Sequence, residues 1–426
     1  MEDKKKILLF CSADHALTHA VILSLAPLLP AIKEEFNFSY TLSFGFAALN
    51  IFIYGTGGIP AGYLSDRVGP FRTLLLGIFV VVLSCFALAF SFSPIQFMLF
   101  IFILGLGSSF YHPPGITAIS NSYTEGRGKA LGIHGLLGNL GQFGSPIFAG
   151  VVGALFGWRA NYLIWGFAFV LLGIFLLYLI LKGVDEKTQL LFTAKWGSDR
   201  SSSTINFFKL KKETLQLLLT PMVLSVLFLT IFRGWYYRGT LYIIPFYIEE
   251  IYNLTRNEAT ALGGTFITFA LVAGGIGNYV GGHIKDRKGA FYPLLIFTLI
   301  SLLSLLLIVF NPFTLGGASL TLFGKEYILV FNGFIFGIFL FGFGFFGCQA
   351  PLNAFIAELV TSEKRGRLFG ITFFTRFGLS AIAMLMVGVA AEHSLSLAIS
   401  LNLLFVVLAL ATVGIMIFYA KNTVNY

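Results

Sequence analysis

The chain has 426 residues, 57% apolar and 11% charged, with a formal net charge of +9 and a mean hydropathy of +0.86. An average soluble domain is about 45–50% apolar and about 25% charged, so too little polar surface remains to cover a water-soluble globule of this size. The composition excludes a soluble enzyme, a nucleic-acid binder and a disordered scaffold, and points to an integral membrane protein.

A bilayer core about 30 Å thick takes roughly 20 helical residues to cross. Apolar runs of that length fall at 7–30, 42–63, 72–92, 94–119, 130–153 and 160–181. After a polar stretch they resume at 216–248, 260–282, 291–310, 327–357, 368–390 and 396–420. The expected fold class is an all-α membrane protein with twelve transmembrane helices. The N-terminal MEDKKKILLF imitates a secretory signal, but its apolar run holds Asp14, His15 and His19 and continues for a full span. It therefore reads as an uncleaved first helix. Cys11, Cys85 and Cys348 lie within predicted helices and read as small buried hydrophobes.

Lys and Arg give the orientation. With a cytoplasmic N-terminus, 21 of the 28 basic residues fall on the inner side, seven of them within 182–214. Lys33, Arg159, Arg256 and Lys325 fall outside, and Arg233, Arg238 and Arg376 lie within spans. The expected location is the cell membrane, multi-pass, with both termini cytoplasmic. The net positive charge is an orientation signal and implies no nucleic-acid partner.

The chain also repeats itself. Gly55, Gly57, Gly62, Asp66, Arg67, Gly69 and Phe71 recur 220 residues on as Gly275, Gly277, Gly282, Asp286, Arg287, Gly289 and Phe291. Glu125, Arg127, Gly128, Gly132 and Ile133 recur 238 residues on as Glu363, Arg365, Gly366, Gly370 and Ile371, and an extended outer loop at 311–326 accounts for most of the difference. Two pseudo-symmetric six-helix halves, 1–181 and 215–426, joined by a cytoplasmic linker at 182–214, are the simplest organisation. Gly62 allows close helix approach, Gly69 a tight turn, and Asp66 a contact with cationic or helix N-terminal groups between the halves.

The segment GYLSDRVGPFR, with its copy GHIKDRKGAF, resembles the signature loops of the major facilitator superfamily, and the resemblance covers essentially the whole chain. It implies the major facilitator fold, and a cytoplasmic gate formed by Gly62, Asp66, Arg67, Gly69, Arg72, Gly282, Asp286, Arg287, Glu125, Arg127, Glu363 and Arg365. Within the superfamily, GLGSSFYHPPGITAIS and the Gly-rich fifth helix resemble the fosmidomycin-resistance-type subgroup, as does HALTH followed by LAPLLP in the first helix. That subgroup places an acid four residues after the helix-1 histidine, where this chain has His19 and carries its acid at Asp14.

Charged groups at bilayer depth are costly and mark pathways. Asp14, with His19 and His112 as helpers, is the expected proton-coupling site, or else Asp14 is the counter-ion of Arg376. Arg233, Arg376, Tyr237, Tyr111, Gln349, Asn353, Asn139 and Gln142 are the expected solute-binding residues. Arg233 and Arg238 lie about 140° apart on an unbroken helix, so Arg238 is expected to reach outward to the headgroups unless Gly234 and Gly239 break that helix. His134 is expected to pack. His15 and His19 have a metal-binding spacing, but no third ligand beyond Asp14 is evident, so no metal or cofactor is expected. GFGFFG at 342–347 sits inside an apolar span without the strand–turn–helix setting of a dinucleotide site, and neither GRGKA nor FGKEY completes a phosphate loop.

These features predict a secondary active transporter, not an enzyme, moving a small anionic or zwitterionic organic solute by alternating access. Proton-coupled export by antiport leads; proton symport or facilitated uptake is the alternative, and a receptor or scaffold the non-transport one. The expected partners are the solute, protons and the lipid bilayer, with the chain a monomer.

Overall fold

The computed structural model describes residues 2–123, 125–182, 216, 218–311, 314–322, 325–360 and 362–423. All but the first residue of the expected linker at 182–214 lies outside them. In chain order the helices are α1 (Glu2–Leu23), α2 (Leu25–Phe36), α3 (Tyr40–Val68), α4 (Pro70–Ala89), α5 (Pro94–Ser109), α6 (His112–Ser122), α7 (Arg127–Phe156) and α8 (Trp158–Leu181). They continue as α9 (Pro221–Ile251), α10 (Arg256–Lys288) and α11 (Phe291–Phe310), then a hairpin of β1 (Thr314–Leu322) and β2 (Lys325–Asn332). The last five are α12 (Gly333–Gly347), α13 (Gln349–Glu358), α14 (Ser362–Phe377), α15 (Ser380–His393) and α16 (Leu395–Thr423).

Among the described residues, sixteen helices make twelve spans because four spans are broken once. α1 parts from α2 at Ser24 ahead of Pro27, α5 from α6 at Phe110 and Tyr111 ahead of Pro113 and Pro114, and α12 from α13 at Cys348 ahead of Pro351. Proline offers no N–H to the carbonyl four residues back and its ring crowds that carbonyl, which opens the helix there. The fourth break separates α14 from α15 at Gly378 and Leu379. Among the described residues, ten spans are long and apolar enough to cross a membrane. The other two, α7 and α9, have 30 and 31 residues, with Asn139 and Gln142 in α7 and Arg233 and Arg238 in α9.

The duplication is visible in the backbone. Gly69 and Gly289, 220 residues apart, both adopt positive φ, at 93° and 76°. Their N–H groups close the preceding helix, Gly69 onto Ser65 O at 3.0 Å and Gly289 onto Lys285 O at 2.9 Å. Only glycine enters that region without steric cost. The broken fourth and tenth spans match in the same way, since Pro113 and Pro351 stand 238 apart.

One span differs from expectation. The tenth begins at Gly333, not 327, because 325–332 pairs antiparallel with 314–322. The run Tyr327–Phe331 is apolar enough for a helix, but its aromatic and β-branched content suits a strand, and a short apolar run does not distinguish the two.

The halves meet backbone to backbone where α7 crosses α10. A Cβ on Gly264 would stand 2.1 Å from the Pro146 carbonyl oxygen, and one on Gly150 2.7 Å from that of Thr260. At the same end Arg256 pairs with Glu34 at 3.0 Å and Glu249 at 2.7 Å, and the Thr41 N–H donates to Glu392 at 2.7 Å. At the opposite, basic end, Asp66, Arg67, Glu125, Asp286 and Arg287 are exposed.

Gly264→Val is expected to destabilise the protein by about 1–3 kcal/mol, the usual cost of overpacking, read as a lowered melting temperature in detergent. Gly144→Val, where a Cβ meets nothing within 4 Å, is the control. Equal melting of the two variants would remove the α7–α10 contact from the stability of the fold.

Candidate functional site

The i,i+4 spacing puts His15 and His19 on one face of α1, and the α5–α6 break presents His112, the first residue of α6, to the same place. His19 Nε2 and His15 Nε2 are 3.0 Å apart. One nitrogen from each of His15, His19 and His112 lies within 4.8 Å of the others. His134 of α7 stacks on His15 with centroids 4.4 Å apart, and the Tyr54 hydroxyl of α3 holds His112 Nε2 at 2.5 Å. The tautomers follow from the partners. His15 Nδ1 stands 3.2 Å from the His134 carbonyl oxygen, which only accepts, so Nδ1 carries the hydrogen. In the neutral ring Nε2 is then the acceptor, and His19 Nε2 donates to it.

Asp14 does not join this cluster. It lies about 100° round α1 from His15 and about 140° from His19. It is buried, accepts from the Thr18 hydroxyl at 3.3 Å, and lines a small cavity within the first half with Leu74, Val81, Phe110 and Phe169. The carboxylate and the imidazoles therefore face different spaces. Tyr111 borders both: it lines that cavity, its ring stacks on His15 at 5.2 Å, and its hydroxyl donates to the Cys11 carbonyl at 2.6 Å. Among the described residues no ion pair joins Asp14 to Arg376. Arg376 donates to Asn353 Oδ1 at 3.3 Å.

The facing wall is cationic and aromatic. Arg238 does not reach the headgroups: it is 4% exposed, on a helix that runs unbroken through Gly234 and Gly239. Those glycines admit the Arg376 carbonyl and the Asn402 side chain instead of breaking α9. The Arg238 guanidinium lies 5.4 Å from the ring centres of both Tyr237 and Phe377. Its Nη1 has no hydrogen-bond partner among the described residues. Its charge acts on His19 and Tyr54 of the other half. Arg233 sits 4.8 Å over the Phe345 ring and donates to the Phe345 carbonyl. That carbonyl is among the last four of α12, which the break at Cys348 leaves without an intrahelical donor. Among the described residues no carboxylate pairs with Arg233, Arg238 or Arg376.

The other expected binding residues are spread more widely. Tyr237 stacks on Phe345 at 4.1 Å and lies beside Gln142. Gln349 and Asn353 are partly buried on α13, and Asn139 is exposed on α7. Of the gate residues, a Cβ on Gly62 would meet Pro113 at 3.5 Å and one on Gly282 would meet Ala350 at 3.4 Å. Arg67 stacks on Tyr63 at 4.1 Å and Arg72 is partly buried. The side chains of Arg127, Glu363 and Arg365 lie outside the described residues. The sequence did not single out Tyr54, Phe373 or Phe377, whose rings join the two walls: Tyr54 to Phe377 at 5.9 Å and His112 to Phe373 at 5.7 Å. A lone aromatic in a span reads as packing, so no signal marked them.

Comparison with known proteins agrees with this architecture. The chain is 24% identical over 389 residues to an uncharacterized MFS-type transporter, YfnC, of Bacillus subtilis (strain 168), covering 90% of this chain and 85% of the relative. It is 24% identical over 296 residues to a probable L-galactonate transporter of Escherichia coli (strain K12), covering 68% and 63%. It is 23% identical over 306 residues to a probable nitrate transporter, NarT, of Staphylococcus epidermidis, covering 70% and 72%. Among solved structures, an inward-facing, unoccupied bacterial homologue of the human lysosomal transporter Spinster superposes with a TM-score of 0.68 at 16% identity, over 98% of this chain and 96% of that one. The Major Facilitator Superfamily pattern matches residues 9–384. A chain of twelve spans, duplicated in sequence and in backbone, and matched over most of its length belongs to the Major Facilitator Superfamily of transporters, and is not an enzyme.

Proposed function

We propose that this secondary transporter moves a small organic anion or zwitterion, exchanging it for protons and exporting it across the cell membrane. Its halves are 1–181 and 215–426, and its basic end is cytoplasmic. The observation that carries the reading is the central interface itself. One half presents four imidazoles, and the other presents three guanidiniums that, among the described residues, no carboxylate neutralises. A cationic, partly desolvated wall favours negative charge, and imidazoles change charge near neutral pH. Two relatives are named as probable transporters of L-galactonate and of nitrate, both anions, which supports the solute class. Export rests on the likeness of the His112–Pro113 run to the fosmidomycin-resistance-type subgroup. Joined halves at the Arg256 end and exposed gate residues at the basic end suit a chain open toward the cytoplasm.

The test is flux into proteoliposomes under an imposed pH gradient, with sugar acids, nitrate, phosphonates and neutral drugs as solutes. Gradient-driven exchange of anions is expected. Flux indifferent to the gradient would remove proton coupling, and no flux of any solute would favour a receptor.

Arg238→Gln is expected to lower anion flux about ten- to a hundredfold, the worth of a hydrogen bond to a charged group, with neutral solutes unaffected. Equal loss for both classes would assign Arg238 to folding instead.

Asp14 and the histidines are separable as proton carriers. If protons pass from the imidazoles through Tyr111 to Asp14, Asp14→Asn keeps solute binding and loses the response to the pH gradient. An unchanged pH dependence in that variant, with loss in His19→Gln, would confine proton exchange to the histidines.

A further inference from the structure

The geometry points to a binding site for a divalent transition-metal ion at His15, His19 and His112, facing the interface between the halves. It reaches beyond transport and is read on the protein alone, so its outcome does not depend on flux. The sequence lacked a third ligand because it offered only Asp14, which faces away. The break in the fourth span supplies His112 instead.

Three partly buried imidazoles bring one nitrogen each within 4.8 Å of the others, and one pair is already at 3.0 Å. A tetrahedral ion with metal–nitrogen bonds of about 2.0–2.1 Å holds its ligands roughly 3.4 Å apart, so closure asks for a movement of about 1 Å in long, hinged side chains. The surroundings are also those of a metal site. Ligating histidines characteristically donate their second N–H to a carbonyl, as His15 Nδ1 does to the His134 carbonyl at 3.2 Å. The Tyr54 hydroxyl fixes the His112 ring at 2.5 Å. The hydrogen on His19 Nε2 must leave or move to Nδ1 when the ion binds, so binding is opposed by acid. Three imidazole nitrogens suit Zn²⁺, Ni²⁺, Co²⁺ or Cu²⁺ and not Mg²⁺ or Ca²⁺, which prefer oxygen.

The charges facing the cluster set a sign. His134 on α7 stacks on His15, and Asp14 on α1 faces another space. Arg238 on α9 acts on His19 from the opposite half. Its positive charge opposes a dication bound at the histidines.

Isothermal titration of the purified full-length protein with zinc chloride, and separately with magnesium chloride, tests the site. One Zn²⁺ per chain is expected, weakening as pH falls, with no response to Mg²⁺. His19→Gln and His112→Gln are each expected to weaken Zn²⁺ binding by about tenfold or more, while His283→Gln, outside the cluster, leaves it unchanged. Arg238→Gln is expected to tighten it. Gel-filtration profiles and melting temperatures without metal show whether the variants are folded. Absence of saturable Zn²⁺ binding to the parent protein, or binding that survives both His19→Gln and His112→Gln in folded protein, overturns the proposal.

Discussion

Two helices in backbone contact hold the rest of this structure in place. Where α7 crosses α10, Pro146 and Thr260 present carbonyl oxygens to Gly264 and Gly150 with no side chain between them. In lipid there is no hydrophobic force to press helices together, because the tails are as apolar as leucine, so close packing of small residues supplies the attraction. The contact lies toward the Arg256 end. At the opposite ends lie the loops around Asp66 and Asp286, and across the interface the imidazoles of α1 and α6 stand opposite α9 and α14.

The second constraint is the cost of charge away from water. Carboxylates would be the obvious partners for Arg233, Arg238 and Arg376, and among the described residues none is used. Arg233 takes a carbonyl that a helix break has released. Arg376 takes the Asn353 amide, and Arg238 lies between two rings with one nitrogen unpartnered. Partners of this kind hold a guanidinium without cancelling its charge. The second half therefore keeps a positive face toward the histidines of the first.

Much of the fold was legible because the bilayer acts as a strict solvent. Backbone groups in lipid must be satisfied within the segment, so length and hydropathy located the spans. The prolines at 27, 113 and 351 mark the breaks in retrospect. The hairpin was not legible, since Tyr327–Phe331 suits a helix or a strand until its partner is known. At the site, spacing paired His15 with His19 and depth brought in His112. Rotation was the missing quantity. Which side of α1 faces the neighbouring half decides that Asp14 looks inward and His19 outward, and that depends on the packing of α4, α5 and α8. Arg238 was misplaced for a related reason: its ring partner Phe377 lies on a distant span, and its buried position on unbroken α9 exists only once the halves are assembled.

The hairpin of β1 and β2 bears on the ancestry of the chain. The spacing between matched residues grows from 220 to 238 after Gly289, and the hairpin fills 314–332 within that interval. Below it, the Phe334 N–H already donates to Asn311 Oδ1 at 3.0 Å, so the ninth and tenth spans are stitched together beneath the strands. The hairpin is in that sense a late insertion resting on a finished joint. New sequence added to its turn, such as a reporter or an epitope, is expected to leave undisturbed the helices that carry the candidate site.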